Sequence, residues 1–341
     1  MTALTMPARA GHDAGLRPVP WRRMAWVTWR QHRIALGGVV VVLSALAVYL
    51  WLTGLQIHHA YAAACHPASS IACANNGFDG TYVPHAVVAI ILMQAAPALI
   101  GAFVGAPVLA REMETGTFRY AWTQGFGRWR WTLGKLVPLS IAVAAAGGAC
   151  GALFSWYYQP FFAESFQTPL APIVFGLRGV AFAAWTLAAF AIGALAGMLI
   201  RRVVPAMAAT LAVYAGLALA AGTFLRQHYL TPLLTRALNV PRSAWIMRQW
   251  TTKGGKFAFA IPQKSAIQAG LVQQFCPSAP PSGVPSETLG QCLSRHGYTQ
   301  WTSYQPASRF WPFQWIEGGW LLALSVLLIA AAVWLVRRRA T

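Results

Sequence analysis

The residues best suited to bind another protein lie in one polar stretch, residues 111–131, between two long apolar segments. This stretch contains Glu112 and Glu114, two of the seven acidic residues in the chain, among closely spaced threonine, glycine and aromatic residues. Carboxylates make strong charge-assisted hydrogen bonds, and aromatic side chains fill pockets at protein interfaces. The stretch is therefore typical of a docking surface for a soluble partner. The alternative is a solvated loop in which the two acids only balance the nearby arginines.

Residues that could carry out catalysis are not arranged for it. Residues 127–135 resemble a phosphate-binding loop, but six residues separate Gly127 from Gly134, and a leucine follows Lys135. The Walker pattern needs four residues at that spacing and a serine or threonine after the lysine. No nucleophile stands beside a candidate base, and acidic residues are scarce. The sequence therefore predicts no enzyme activity, no cofactor, no ATP site and no metal site in this chain.

The composition is that of a membrane protein. Hydrophobic residues make up 57% of the 341 residues and charged residues 10%, and the mean hydropathy is +0.49. An ordinary soluble domain has about 25% charged residues. The formal net charge of +19 would also suit a nucleic-acid-binding protein, but most basic residues adjoin apolar blocks, as they do beside membrane spans. We therefore predict that the chain lies in a lipid bilayer and that it binds no nucleic acid.

Six apolar blocks are each long enough to cross a bilayer as a helix. They are residues 34–55, 85–109, 133–157, 174–200, 203–225 and 317–336. We therefore predict an all-α membrane protein with six transmembrane helices, five of them within residues 34–225 and the last within residues 317–341. The intervening residues 226–316 are predicted to be a small folded insertion between helices 5 and 6.

Two segments precede the first apolar block. Residues 1–18 are rich in alanine, proline and glycine and are predicted to be disordered. In residues 19–33, Trp21, Ala25 and Trp29 share one helical face, whereas the arginines lie largely elsewhere. A basic helix with tryptophan on one face lies in the headgroup layer, so we predict an amphipathic interfacial helix. A nucleic-acid-binding arm is the alternative.

The basic residues indicate which way the chain crosses the membrane. Residues 57–84 and 158–171 contain no lysine or arginine, whereas the N-terminal segment, residues 111–132 and the C-terminus are rich in them. Cytoplasmic loops of membrane proteins carry the excess of lysine and arginine. We therefore predict a multi-pass plasma-membrane protein with both termini in the cytoplasm and residues 226–316 outside it.

Four of the five cysteines lie in segments predicted to be extracytoplasmic: Cys65, Cys73, Cys276 and Cys292. Disulfides persist in oxidising compartments, and the simplest of the three connectivities joins Cys65 to Cys73 and Cys276 to Cys292. Free thiols are one alternative. Another is a zinc site made of Cys65, Cys73, His66 and a histidine at position 58 or 59, although this spacing matches no common zinc pattern.

Two charged residues, Arg178 and Glu317, are predicted to lie near the outer ends of their spans. An unpaired charge is costly there and usually finds a partner. We therefore predict a membrane-edge ion pair between Arg178 and Glu317, with a pair between Arg178 and Glu164 as the alternative.

The predicted insertion contains the signals of a folded unit. Two segments with strand character, residues 245–252 and 256–261, flank Gly254 and Gly255. A glycine pair suits the positive φ angles of a tight hairpin turn. Helical patterns follow within residues 265–297.

The polar stretch and the six spans together resemble a known family. The pattern Arg-Glu-x-Glu-x-Gly-Thr at residues 111–117, the Gly-Lys step before the third span and the six-span layout are similar to permease subunits of ABC-2 type exporters. Residues 29–33, residues 121–124 and the run from Gln305 to Glu317 resemble a bacterial branch of that family. The resemblance covers nearly the whole chain.

The resemblance implies a mechanism. Two permease subunits, identical or different, pair in the membrane, and each rests on a separate ABC-type ATPase subunit that hydrolyses the ATP. A short coupling helix, here residues 112–123, lies in a groove of the ATPase and transmits its closure to the spans. The residues expected to contact the ATPase or to shape that contact are Arg111, Glu112, Glu114, Thr115, Gly116, Thr117, Phe118, Tyr120, Trp122, Thr123 and Gln124.

The function implied by the resemblance is that of the transmembrane subunit of an ATP-driven exporter, which moves a substrate across the plasma membrane. Glu112 and Glu114 are expected to make polar contacts with the ATPase, and the aromatic members of the set to fill its groove. The alternative is a membrane sensor or immunity protein that binds an extracellular ligand through residues 226–316.

Overall fold

The computed structural model describes residues 21–64, 78–116, 128–163, 167–236, 240–241, 243–261 and 294–338. In the first helix, side chains are described from Gly37 onward. The predicted disordered segment, residues 1–18, therefore lies outside the described residues. So do Cys65, Cys73, Cys276 and Cys292, while Cys150 is a buried free thiol.

The helices follow the apolar blocks of the sequence. They are α1 (Trp21–Ala64), α2 (Phe78–Ile100), α3 (Ala106–Thr115), α4 (Arg128–Tyr157), α5 (Gln159–Ala163), α6 (Pro172–Phe175), α7 (Gly179–Ile200), α8 (Val203–Ala220) and α9 (Phe310–Arg338). The π-helical segment Gly101–Gly105 joins α2 to α3, and a second one, Ala221–Leu225, extends α8 into a short turn at Arg226–His228. The turn Ala307–Arg309 leads into α9.

Six helical segments in the described part of the chain are long and apolar enough to cross a membrane, which confirms the predicted number. Spans 1 to 6 are Gly37–Ala63, Gly80–Thr115, Trp129–Tyr157, Gly179–Ile200, Val203–His228 and Ala307–Arg338. In span 4, 67% of the most apolar stretch is buried inside the chain, against 17% in spans 1 and 5. Span 4 is therefore the central helix, and spans 1 and 5 lie at the periphery.

Several helix boundaries differ from the predicted ones. No break separates the predicted interfacial helix from the first span, because α1 runs from Trp21 to Ala64 and residues 21–36 contain no glycine or proline to end it. The fifth span continues to His228 and the last helix begins at Phe310, so both extend into the segment assigned to the insertion.

Glycines hold span 4 against span 2. A Cβ atom added to Gly101 or Gly105 would lie 2.6 Å from a backbone carbonyl oxygen of span 4. In turn, Gly193 and Gly197 lie against the backbone of residues 101–110 with no room for a side chain. Two GxxxG patterns therefore face each other within one chain, which brings two helix backbones into direct contact.

A four-stranded antiparallel sheet follows span 5. Its strands are β1 (Leu233–Thr235), β2 (Trp245–Lys253), β3 (Lys256–Ile261) and β4 (Tyr298–Gln305), in the order β1-β4-β2-β3. The predicted hairpin is confirmed: β2 pairs with β3 across Gly254 and Gly255, whose φ angles are 58° and 78°. The predicted helices within residues 265–297 fall almost entirely outside the described residues. The prediction of an all-α protein is wrong for the insertion, because its described residues form a four-stranded sheet between the helical ends of spans 5 and 6.

The sheet is fastened to one end of the helical bundle. The Gln305 side chain donates to the carbonyl of Leu230 at 2.8 Å, and the Thr168 hydroxyl donates to the carbonyl of Ser243 at 2.7 Å. We call this the sheet end. The opposite end, where span 2 stops at Thr115 and span 5 starts, is called the basic end because Arg111, Arg201, Arg202, Arg337 and Arg338 lie there.

Gly193→Ala should destabilise the protein, because even a methyl group would overlap the backbone of Gly101. We expect a loss of about 1–3 kcal/mol, the usual cost of overpacking. Gly216→Ala is the matched control, since Gly216 is an exposed helical glycine with nothing within 4 Å of an added Cβ. Thermal unfolding in lipid nanodiscs measures both; equal melting temperatures for the two variants would show that the glycine contact is not tight.

Candidate functional site

The basic end contains a buried ion pair between spans 2 and 3. The Lys135 ammonium donates to Glu112 Oε1, and both side chains are at least nine-tenths buried. Lys135 Nζ also lies 4.3 Å from the ring centroid of Trp131. Glu112 lies in the last turn of α3 and Lys135 lies in the second turn of α4, so the pair joins the two spans on either side of the polar stretch.

Glu114 connects the same helix end to span 5. Its carboxylate accepts a hydrogen bond from the backbone N–H of Val203 at 3.1 Å. The first N–H groups of a helix have no partner within the helix, and the N-cap residue Arg202 supplies none from its side chain. A carboxylate is favoured at this positive helix end, so Glu114 caps α8 from a neighbouring helix. We call Glu112, Lys135, Trp131, Glu114 and the Val203 N–H the Glu112 cluster.

The structure describes only part of the coupling set predicted from the sequence. Arg111, Glu114 and Thr115 are exposed, and the Thr115 hydroxyl donates to the Arg111 carbonyl at 2.8 Å. Gly116 ends α3 with a φ angle of 70°. The remaining predicted residues, Thr117, Phe118, Tyr120, Trp122, Thr123 and Gln124, lie outside the described residues.

Glu112 lies inside the bundle in this structure and not on its surface, whereas its predicted contact with the ATPase stays a prediction. Glu112 is 7% exposed and is paired with Lys135 inside the chain. Burying a carboxylate requires a nearby cation, and the lysine of the Gly-Lys step supplies it. The sequence showed both motifs, each beside an apolar block, but gave no sign that they meet.

A second buried cluster lies near the sheet end and surrounds Glu317, which is completely buried. Arg226 Nε and Nη2 donate to the two carboxylate oxygens of Glu317, each at 2.7 Å. The Trp185 indole N–H donates to Glu317 Oε1 at 2.7 Å, and the Tyr229 hydroxyl donates to Oε2 at 3.1 Å. These four residues, the Glu317 cluster, join spans 4, 5 and 6.

The Glu317 cluster also holds the irregular segment before span 4. Arg226 Nη1 donates to the carbonyl of Pro172 at 2.6 Å. Gln314, one turn before Glu317, donates to the Phe175 carbonyl at 3.1 Å and accepts from the Ala181 N–H at 2.8 Å. Side chains therefore satisfy the backbone groups left open where α6 stops and α7 begins, which a membrane environment requires.

The predicted ion pair between Arg178 and Glu317 is wrong, because Glu317 is paired with Arg226. The Arg178 guanidinium instead lies 4.2 Å from the ring centroid of Phe162 and 4.8 Å from that of Phe310. Burial lowers the pKa of Arg178 to about 10, so it remains charged at neutral pH. The alternative partner, Glu164, lies outside the described residues.

Arg226 was missed because it directly follows an apolar block. The sequence assigned it to the polar insertion, whereas the π-helical segment and the following turn carry span 5 past it. A bidentate arginine–carboxylate pair is the strongest ionic contact that two side chains make. The signal that could have revealed this pair is an arginine at the end of one span and a glutamate at the start of the next.

A cavity of about 710 Å³ lies beside the Glu317 cluster, between spans 2, 4 and 5 and helix α6. Most of the residues lining it are apolar. The lining includes Gln94, Ile173, Trp185, Tyr214, Ala215 and Arg226.

A family model described as ABC-2 membrane transporter related matches residues 40–226. This is more than half of the chain. The chain belongs to the ABC-2 membrane transporter-related family. No curated protein and no solved structure is significantly similar to it.

The family match includes spans 1 to 5 of this ABC-2 protein and stops at Arg226. The Glu112 cluster and all the residues that line the cavity therefore lie within the matched region. Glu317, the sheet and span 6 lie beyond it, so the Glu317 cluster joins the matched region to the rest of the chain.

Removing one member of the Glu112–Lys135 pair should destabilise this ABC-2 protein more than removing both. Lys135→Met or Glu112→Leu alone leaves a buried charge without a partner, which costs about 3–5 kcal/mol. The double variant should recover most of that loss, because an apolar pair of similar volume is often as stable. Thermal unfolding of all three variants tests this. Lys135→Met combined with Arg111→Met is the control and should show additive losses.

Arg226 and Glu317 should show strong coupling in a double-mutant cycle of Arg226→Met and Glu317→Leu. Their two hydrogen bonds are buried, so the interaction energy should exceed about 1 kcal/mol. The matched cycle of Arg178→Met and Glu317→Leu should be additive, since the two residues do not pair. Coupling in the Arg178 cycle without coupling in the Arg226 cycle would contradict the structure.

Proposed function

We propose that the chain is the transmembrane subunit of an ATP-driven ABC-2 exporter and that a separate ATPase subunit docks at the basic end. The observation that carries this proposal is the link between the polar stretch and three spans. Span 2 continues as a helix to Thr115, and its last turn is bonded to Lys135 of span 3 and to the Val203 N–H of span 5.

This arrangement suits the transmission of force. A displacement of Gly116 and the residues after it acts on the end of a continuous helix rather than on a slack loop. The Glu112 cluster passes that displacement to spans 3 and 5, and the facing glycines pass it to span 4. Packed helices that share buried polar contacts move together, as rigid bodies about their interfaces.

The docking surface consists of the exposed residues Arg111, Glu114 and Thr115 and the polar stretch that follows them. The acids and the arginines provide charge-assisted contacts, and Phe118, Tyr120 and Trp122 provide apolar area. Glu112 supports this surface from inside the bundle. The cargo moves between the two sides of the membrane as two permease subunits, identical or different, rock against each other.

Site-specific photocrosslinking tests the docking surface. With p-benzoylphenylalanine at position 118, irradiation of native membranes should yield an adduct between this chain and an ATPase that carries Walker motifs. The same amino acid at position 213, which is an exposed valine in span 5, should give no such adduct. An adduct only at position 213, or an ATPase that copurifies fully with a Phe118→Ala, Tyr120→Ala and Trp122→Ala triple variant, would contradict the proposal.

The proposed orientation has the basic end in the cytoplasm, since the arginines at that end match the cytoplasmic excess of basic residues. In a cysteine-free background, Asn75→Cys should react with an impermeant maleimide added from outside the cell, and Gly125→Cys should react only after the membrane is opened. The opposite pattern would place the basic end outside the cell, where an ATPase in the cytoplasm could not bind it.

A further inference from the structure

We propose that the cavity beside Arg226 binds an uncharged, mainly apolar small molecule that carries at least one hydrogen-bonding group. Its role as the transported cargo rests on the proposed function, whereas the binding itself does not. The cavity volume of about 710 Å³ is in the range of small-molecule pockets. Three observations define the chemistry of the ligand.

The first observation concerns the hydroxyl group of Tyr214. This tyrosine lines the cavity and is 8% exposed, and its hydroxyl has no hydrogen-bond partner in the described part of the chain. The ring of Trp185 packs edge-on against it at 5.7 Å and fixes its position. A tyrosine hydroxyl beside an apolar cavity usually has a partner, because leaving one without a hydrogen bond is costly. A ligand in the cavity with a hydroxyl, carbonyl or amide group would provide that partner.

The second observation concerns the carboxamide group of Gln94. It is an exposed carboxamide within the apolar span 2, and such residues in spans commonly mark functional positions. Its amide nitrogen donates to the Ile173 carbonyl at 3.2 Å, which orients the side chain. The carboxamide oxygen has no hydrogen-bond partner among the described residues and is available to a donor on the ligand.

The charge of the cavity is the third observation. Arg226 is the one charged side chain among the described residues that line it, and Glu317 neutralises that charge. A charged ligand would lose its hydration in this apolar space without gaining an opposite charge. The cavity therefore favours neutral molecules, and the Tyr214 hydroxyl and the Gln94 carboxamide oxygen favour those that form hydrogen bonds.

A lipid acyl chain is the competing occupant. Such a chain would fill the apolar volume but would leave the Tyr214 hydroxyl and the Gln94 oxygen unpaired. An alcohol and a hydrocarbon of the same length therefore distinguish the two occupants, because only the alcohol gains from these groups.

The experiment uses the purified full-length protein in lipid nanodiscs and a diazirine-bearing octanol as the probe. Irradiation followed by peptide mass spectrometry should place the label on residues of spans 2 and 5 that line the cavity, and unlabelled octanol should compete with it. Octane should compete poorly, and so should octanoate. Tyr214→Phe should weaken binding about fivefold, the loss of one hydrogen bond. Gln94→Leu should weaken it similarly.

Cavity filling provides the matched control. Ala215→Trp should abolish competable labelling, because Ala215 lines the cavity. Val213→Trp should leave it unchanged, because Val213 is 55% exposed and does not line the cavity. The inference is overturned if octane or octanoate competes as well as octanol, or if labelling is unchanged by Ala215→Trp. Failure of the crosslinking experiment would remove the transport role and leave this binding result intact.

Discussion

A charge inside a membrane-spanning helix must be paired, and two such pairs determine how this bundle is held together. Arg226 and Glu317 join spans 4, 5 and 6 near the sheet end, with Trp185 and Tyr229 completing the coordination of the carboxylate. The Glu112 cluster joins spans 2, 3 and 5 at the basic end. Because span 5 takes part in both, the two ends of the bundle are connected through one peripheral helix that is itself little buried.

In the middle of the bundle, spans 2 and 4 are held together by a glycine contact and not by a charge pair. Backbones in direct contact at Gly101 and Gly193 allow little sliding, since any side chain would already overlap them. Together with the Glu112 cluster, this contact links spans 2 to 5 into one packed unit, which is the unit that the proposed push at the basic end acts on. The cavity lies within this unit and beside the Glu317 cluster, so a movement of span 5 would change its shape. The proposed docking surface, the proposed transmission path and the proposed ligand site thus share the same few helices.

The sequence predicts the elements of this fold better than their contacts. Six spans follow from the lengths of the apolar blocks, and the hairpin follows from Gly254 and Gly255, because both signals are local. The partner of Glu317 does not follow from local signals: Arg178 and Arg226 both adjoin apolar blocks, and only the tertiary fold selects between them. Glu112 was interpreted as a surface residue for the same reason, since its partner lies on another span.

The last turn of span 2 and the start of span 5 should move together when the proposed ATPase subunit closes. Spin labels at positions 115 and 202, both exposed in this structure, report that distance directly. Pulsed electron paramagnetic resonance of the reconstituted complex should give the same distance distribution without nucleotide and with ATP under non-hydrolysing conditions. A distance that shifts by more than the width of its own distribution would show that the polar stretch moves independently of span 5.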